Sequence, residues 1–310
     1  MSFPTPTELA DLLRLDVQAF NKLVYSTSLD NKLDLRNTDL SGLDLSTAAI
    51  AGADLSHANL AGSRVEISSL IACRLQGTCL DHLTSDDSLE PLHQIQLIWK
   101  DALEWNRYRK SHDPADLHMA DFSGADMGET DFSGMNMSGV RFDECDLRKC
   151  RWDGAWLLQS FFFRADLRGA QLRQVRLTQS LMQATHLDGA ELIQVDLRGA
   201  RAPRASWCGV TLNDCTCEGM ETLRANFDGA QLRDVNLRTA SMVKSSFHRA
   251  HFKDCMFTRA ELSECNFEDT HFEGCSLVGA RVGRARFGGA VGVNRSGVLE
   301  GEDALWDKLV

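Results

Sequence analysis

From Ala115 to about Gly292 an apolar residue recurs every five positions, in the row Leu117, Phe122, Met127, Phe132, Met137, Phe142, Leu147, Trp152 and onward to Leu277, Val282 and Phe287. Two residues before each stands a second small or apolar residue, such as Ala120, Ala125, Cys145, Ala165, Ala170 or Ala225. An α-helix advances about 100° per residue, so a five-residue repeat would drift around all of its faces. A long strand alternates with period two, so an odd period would throw successive units to opposite faces. Both conflicts vanish if each unit is three extended residues, the first and third inward and the second outward, followed by a two-residue corner. The chain then winds as a coil and stacks on itself.

Identical side chains tend to stack between neighbouring turns, so the spacing of the phenylalanines reports the number of sides. Six Phe pairs of the main row fall twenty positions apart (122/142, 142/162, 227/247, 247/267, 267/287 and 252/272), against three pairs at fifteen. Four sides are favoured over three. The expected fold is an all-β solenoid whose coils lie about 4.8 Å apart, the ordinary strand spacing.

The units Ala53-Asp54-Leu55-Ser56-His57, Ala58-Asn59-Leu60-Ala61-Gly62, Ala120-Asp121-Phe122-Ser123-Gly124, Ala165-Asp166-Leu167-Arg168-Gly169 and Ala225-Asn226-Phe227-Asp228-Gly229 resemble the Ala-Asp/Asn-Leu-X-X units of the pentapeptide-repeat family. The resemblance covers most of the chain. It implies a right-handed quadrilateral β-helix and permits a homodimer through one end of the rod, as in related gyrase-protecting proteins. It does not imply one function, because a fold is not a function.

The chain in order reads as one solenoid with an excursion. Residues 1–32 hold an N-terminal capping helix, with Leu9, Leu12, Leu13, Val17, Phe20 and Val24 at helical spacing from Thr7, expected to act as its cap, to about Val24. Residues 33–80 are a first repeat run, Leu35 to Leu80. Residues 81–114 are an inserted helical excursion: the next unit would centre on position 85, the pattern resumes at Leu117, and the row is thus displaced by thirty-two positions. Within it Ser88 to about Lys110 is predicted to form a single helix about 33 Å long. Residues 115–292 are the main β-helix, and 293–310 are a C-terminal tail or cap around Leu305, Trp306 and Leu309. Ala202, Cys217 and Thr222 make Ala200 to Thr222 the weakest part of the row, and Pro203 there removes a backbone donor, so a bulged or irregular coil is expected.

Seven of the ten cysteines occupy the small inward position and read as core hydrophobes rather than a disulfide framework. Cys215-x-Cys217 is a weak metal signal without further ligands, and neither metal nor cofactor is expected. The segment Met1-Ser2-Phe3-Pro4-Thr5-Pro6 has no basic or apolar leader region, and no run is apolar enough to span a bilayer. The expected location is cytoplasmic, with signal-less export equally compatible. No Gly-x-Ser-x-Gly elbow, phosphate-binding Gly-x-x-x-x-Gly-Lys-Ser/Thr or His-Glu-x-x-His occurs, so an enzyme is not expected.

Function therefore falls to the outward residues. The formal charge is −11, yet 115–292 carries 24 acids against 21 bases. An acidic collar, Asp116, Asp121, Asp126, Glu129, Asp131, Asp143, Glu144 and Asp146, is opposed only by Arg141, whereas 148–292 is net +4. A uniform mimic of DNA is poorly supported, though the collar could draw a basic protein surface. Reading every twentieth residue gathers Phe161, Phe163, Arg164, Leu181, Arg201, Arg204 and Arg224 on one face, with Trp156 and Leu158 beside it. Apolar residues at outward positions mark a contact. Either the inserted helix lies over this patch, the reading its length favours, or the patch meets another protein. Acids such as Glu261 and Glu264 interrupt the face, so nucleic acid is disfavoured as a partner. The resulting expectation is a non-enzymatic protein-binding solenoid of scaffold, regulator or immunity type. The alternatives are a topoisomerase-directed regulator or resistance factor by partial DNA mimicry, and an exported effector.

Overall fold

The structure is a computed structural model; it describes residues 3–26 and 33–299. The chain divides into two compact units at Ala125/Asp126.

In the second unit the coil is a right-handed quadrilateral β-helix. Strands β1 (Gln171–Arg173), β2 (Glu191–Ile193), β3 (Thr211–Asn213), β4 (Gln231–Arg233), β5 (His251–Lys253) and β6 (His271–Glu273) form one parallel sheet in sequence order, Gln171 facing Glu191 and His251 facing His271 in one constant register. Bridges of the same twenty-residue register run up the other three sides, for example Trp156↔Arg176, Phe161↔Leu181 and Asp166↔His186. Four sides of five residues thus make a turn, as the Phe spacing requires. The rings themselves stack: Phe247 lies 5.0 Å from both Phe227 and Phe267, and Phe267 5.0 Å from Phe287.

Each unit repeats the same hydrogen bonds. In the unit centred on Leu177, the amide of the outward Arg176 donates to the Ala155 carbonyl of the coil before, and those of Leu177 and the corner residue Gln179 donate to Asp196 and Arg198 of the coil after. The amide of Ser180 closes the corner onto the Leu177 carbonyl. The residue just after the centre is left out, and its amide goes instead to a side chain: Asp146 takes that of Arg148, and Asp131 that of Ser133. Hence the expected bulge at Pro203 does not occur. Pro203 follows the centre Ala202, where the ladder needs no donor, and Ala202 and Arg204 make their regular bonds to Glu221 and Leu223 at 2.8 and 2.9 Å. Trp207, in the same stretch, is fully buried and stacked on Phe227 at 5.4 Å.

At the inward small position several polar residues meet a carbonyl of an earlier coil, whereas the buried hydroxyls of Thr130 and Ser180 find no such partner. Ser160, Thr185 and Thr270 donate to Met137, Phe162 and Phe247 at 2.7–2.9 Å. The thiols of Cys150 and Cys265 do the same to Met127 and Met242.

In the first unit the coils begin at Leu33 and are closed off by two helices rather than the single one expected. Helix α1 (Pro6–Leu15) is capped by Thr5, not Thr7, in a reciprocal box with Glu8, with Pro6 at the position where a missing amide costs nothing. Asp16 is extended; its amide ends α1 on Leu12 while its carboxylate receives the amide of Ala19 and opens α2 (Val17–Ser26). Asn21 then satisfies the open edge of the coils, donating to Thr47 O and accepting from Ala49 N at 2.8 and 2.7 Å.

A short helix, α3 (Ile67–Ile71), replaces one extended side, its first amides held by Glu66. The ladder also continues one unit beyond Leu80, since Thr84 bridges to Arg64. It resumes where Arg74 bridges Asp121 rather than position 94, the partner one coil on, so the excursion is twenty-seven positions long and not thirty-two.

That excursion is two helices, α4 (Glu90–Lys100) and α5 (Ala102–Tyr108), not one. Asp101 breaks them as Asp16 breaks the first pair, its amide ending α4 on Leu97 and its carboxylate taking the amides of Leu103 and Glu104. Leu92, Ile95, Ile98 and Trp105 are buried, Trp99 meets Phe122 at 6.0 Å, and Gln94 bonds Asp113 O and Ala115 N. Most of the apolar stripe is thus spent on partners within its own unit, while Leu89 and Leu103 stay exposed.

Candidate functional site

Trp156 and Phe161 are outward residues of consecutive sides of the second unit, and the ladder carries each upward in a column. One column runs Arg141, Phe161, Leu181, Arg201, Glu221 and on to Arg281; the other runs Asn136, Trp156, Arg176 and Asp196. The protein-binding candidates named from the sequence are therefore brought together. Trp156 keeps 46% of its surface exposed and Leu181 39%, while Leu158, Phe161 and Phe163 are half-buried.

Three arginines brace the aromatics from one coil or one residue away: Arg141 over Phe161 at 4.9 Å, Arg164 over Phe163 at 4.8 Å and Arg176 over Trp156 at 4.5 Å. Each contact is a cation against a ring face, which holds the ring without removing it from solvent. Arg176 was not singled out in the sequence; its signal is that it follows Trp156 by one full coil.

Many of the cations on this face are already neutralised by the coil above or below. Arg164 pairs with Glu144 at 3.6 Å, Arg201 with Glu221 at 3.0 Å, Lys244 with Glu264 at 3.4 Å and Arg281 with Glu261 at 3.7 Å. The acids that interrupt the face in sequence are thus its internal counter-ions. Arg204, Arg224 and Arg284 carry no ion pair among the described residues. Leu223, beside Arg224, is 48% exposed.

The corner of this face has a further property. Every corner residue from Glu144 to Arg284, read at each twentieth position, is a non-glycine in the left-handed region, with φ of 56–62° in the series Arg164, Ala184, Arg204, Arg224 and Lys244. The other corners of the same unit repeatedly use glycine there, as at Gly169 and Gly189, Gly154 and Gly274, or Gly199 and Gly219. A left-handed backbone costs a side-chain-bearing residue roughly 1–2 kcal/mol.

The acidic collar is largely occupied. Asp121, at 3% exposure, is buried, which contradicts its assignment as an outward acid; it accepts the amide of Ser123. Asp116, Asp126, Asp131 and Asp146 likewise accept the free amide two residues on. The Arg148 guanidinium holds the Asp146 carboxyl below the usual carboxylate range. Asp143 accepts the amide of Phe163 and pairs with Arg141, Glu129 pairs with Lys149, and Glu144 with Arg164. Most of this charge serves the corners and the coil-to-coil pairs. Cys215 and Cys217 are both buried, and burial pushes both thiols up, Cys215 to about 11, so neither offers a thiolate.

Residues 32–82, 115–151, 160–199 and 224–291 match the family model for pentapeptide repeats, well over half of the chain. The chain belongs to the pentapeptide-repeat family. No curated protein matches this pentapeptide-repeat protein in sequence. Among solved structures it is similar to HetL, a pentapeptide repeat protein involved in heterocyst differentiation regulation from the cyanobacterium Nostoc sp. strain PCC 7120, at 19% identity over 91% of this chain and 95% of that one, TM-score 0.44. It is also similar to QnrB1, a plasmid-mediated fluoroquinolone resistance protein, at 15% identity over 59% of this chain and 92% of that one, TM-score 0.46. A pentapeptide repeat protein from the thylakoid lumen of Arabidopsis thaliana shares 26% identity over 44% of this chain and 66% of that one, TM-score 0.21. No helix among the described residues of the pentapeptide-repeat protein is long and apolar enough to cross a membrane.

Proposed function

We propose that this pentapeptide-repeat protein is a non-enzymatic binding protein that captures another protein on the face running from Trp156 and Leu158 through Phe161, Phe163 and Leu181 to Arg201, Arg204 and Arg224. The observation that carries the reading is the exposure of Trp156 and Leu181 at outward positions, beside half-buried Phe161 and Phe163. Aromatic anchors rimmed by arginine are the composition of binding hot spots. Rings already braced by Arg141, Arg164 and Arg176 lose little freedom on binding.

The test is affinity capture from the native cell with the wild type and with Phe161→Asp/Phe163→Asp. The double variant should melt like the wild type and lose its specific partner. Capture unchanged by it would defeat the proposal. The topoisomerase reading draws less support, because the carboxylates it would use are engaged at corners and in ion pairs. Protection or inhibition of purified gyrase in a supercoiling assay would restore it. A regulatory, immunity or exported role is a matter of which protein is captured. A dimer through a rod end would involve the C-terminal tail, of which residues 300–310 lie outside the described residues.

A further inference from the structure

We infer that the corner row centred on Arg204 and Arg224 docks a protein segment that carries paired carboxylates flanked by apolar side chains. The inference rests on the reading that this face meets a protein, and it names the chemistry of what is met.

Arg204 and Arg224 occupy the same corner in successive coils, about 4.8 Å apart. Stacked like charges repel, and elsewhere on this face the fold offsets most cations with an anion: Glu144 for Arg164, Glu264 for Lys244 and Glu261 for Arg281, while Arg284, also unpaired among the described residues, has Glu264 and not a cation one coil before it in the corner row. For Arg204 and Arg224 the fold supplies none among the described residues, and both side chains are exposed. Both also sit in the left-handed conformation, φ 59° and 58°, where glycine would fit without strain. Side chains kept at a backbone cost, with nothing inside the molecule to hold, point outward to a ligand.

The ligand's class follows from the neighbours. A guanidinium takes a carboxylate through two parallel hydrogen bonds, and two guanidiniums one coil apart match carboxylates roughly 5–7 Å apart, the spacing of side chains at i and i+2 on a strand or i and i+4 on a helix. The residue before each arginine is apolar, Pro203 and Leu223, and Val243 continues that column. Leu223 is 48% exposed and Leu181 39%, so apolar side chains next to the acids find cover. The aromatic of this column, Phe163, lies two coils from Pro203 and is covered by Arg164 at 4.8 Å, and a formal charge of −11 opposes a long polyanion. A short acidic and apolar protein segment fits; a nucleic acid does not.

Panning a random-peptide library on the full chain and on Arg204→Glu/Arg224→Glu tests this. The wild type should enrich peptides with two carboxylates within four positions beside Leu, Ile, Val or Phe, and the charge-reversed variant should not. The strongest peptide, made with a fluorophore and read by anisotropy, should bind at least about ten-fold more weakly to Arg204→Gln/Arg224→Gln, the loss expected for one charged hydrogen bond. Its Glu→Gln form should not bind. Enrichment without an acidic class, an affinity unmoved by the glutamine variant, or tighter binding of oligothymidylate would each overturn the inference. Native-partner capture lost in Phe161→Asp/Phe163→Asp but kept in Arg204→Gln/Arg224→Gln would overturn it while leaving the protein-binding proposal standing. Both arginines are exposed, and a melting curve verifies that the variants are folded.

Discussion

Replacing Arg204 and Arg224 together by glycine should make the protein more stable. Each arginine holds a left-handed corner, which costs roughly 1–2 kcal/mol, and glycine gives back about 0.5–1 kcal/mol through its freer unfolded chain. No ion pair is lost at either site among the described residues, so each change nets about 0.5–1 kcal/mol in favour of the fold, or about 1.5 kcal/mol for both. For a unit of this length the midpoint of thermal unfolding should rise by about 3–6 °C. The measurement is a circular-dichroism melt at fixed salt. Arg164→Gly is the control, because the same relief of strain is offset by loss of the Glu144 pair and the Phe163 ring contact, and its midpoint should stay near the wild type. A double glycine variant that melts at or below the wild type would refute the reasoning: the arginines would then stabilise the coil, and their place at strained corners would have an internal cause.

Phe247→Ala removes a fully buried ring from the centre of the Phe227–Phe247–Phe267 stack and should cost about 3–5 kcal/mol in urea unfolding, with Phe247→Leu costing well under half of that. Acid should destabilise the protein. Arg148 and Arg198 hold Asp146 and Asp196 below the carboxylate range, and the Ser68 and Ser69 bonds hold Glu66 down to about 2. Because these folded-state values are depressed, their contribution is complete above the ordinary carboxylate range and lost as pH falls toward 2, so melting temperature should be flat near neutrality and drop between about pH 4 and 2. Native thiol titration should find two accessible cysteines, Cys79 and Cys208, and denaturant should release the remaining eight, which are buried.

The inward row was legible because each of its positions meets the same environment, and even Ala202, Cys217 and Thr222 stay buried in register. The helix breaks were not. Asp16 and Asp101 each interrupt a helix at one extended residue, too short an interruption to disturb the apolar spacing on either side. The aspartate before a new first turn was the available signal. Pro203 misled because the amide bookkeeping of a strand does not apply to the residue after the centre. On the outward faces, counting by twenties assembled the columns, since that interval is the bridge register. It did not reveal which charges cancel, because Arg201–Glu221 or Lys244–Glu264 reads as a distant pair until the coils are stacked.

The constant bridge register also fixes how such a chain can change length. Gaining or losing a whole turn slides every later column along the axis by one notch and leaves its compass bearing untouched. Gaining a single unit of five swings everything downstream through a quarter turn and scatters a contact face around the perimeter. The helical excursion escapes that rule by leaving and rejoining at neighbouring rungs, with Arg74 still seated beside Asp121. A recognition surface drawn along one side therefore tolerates whole-coil edits and detours, but not the loss of a single repeat.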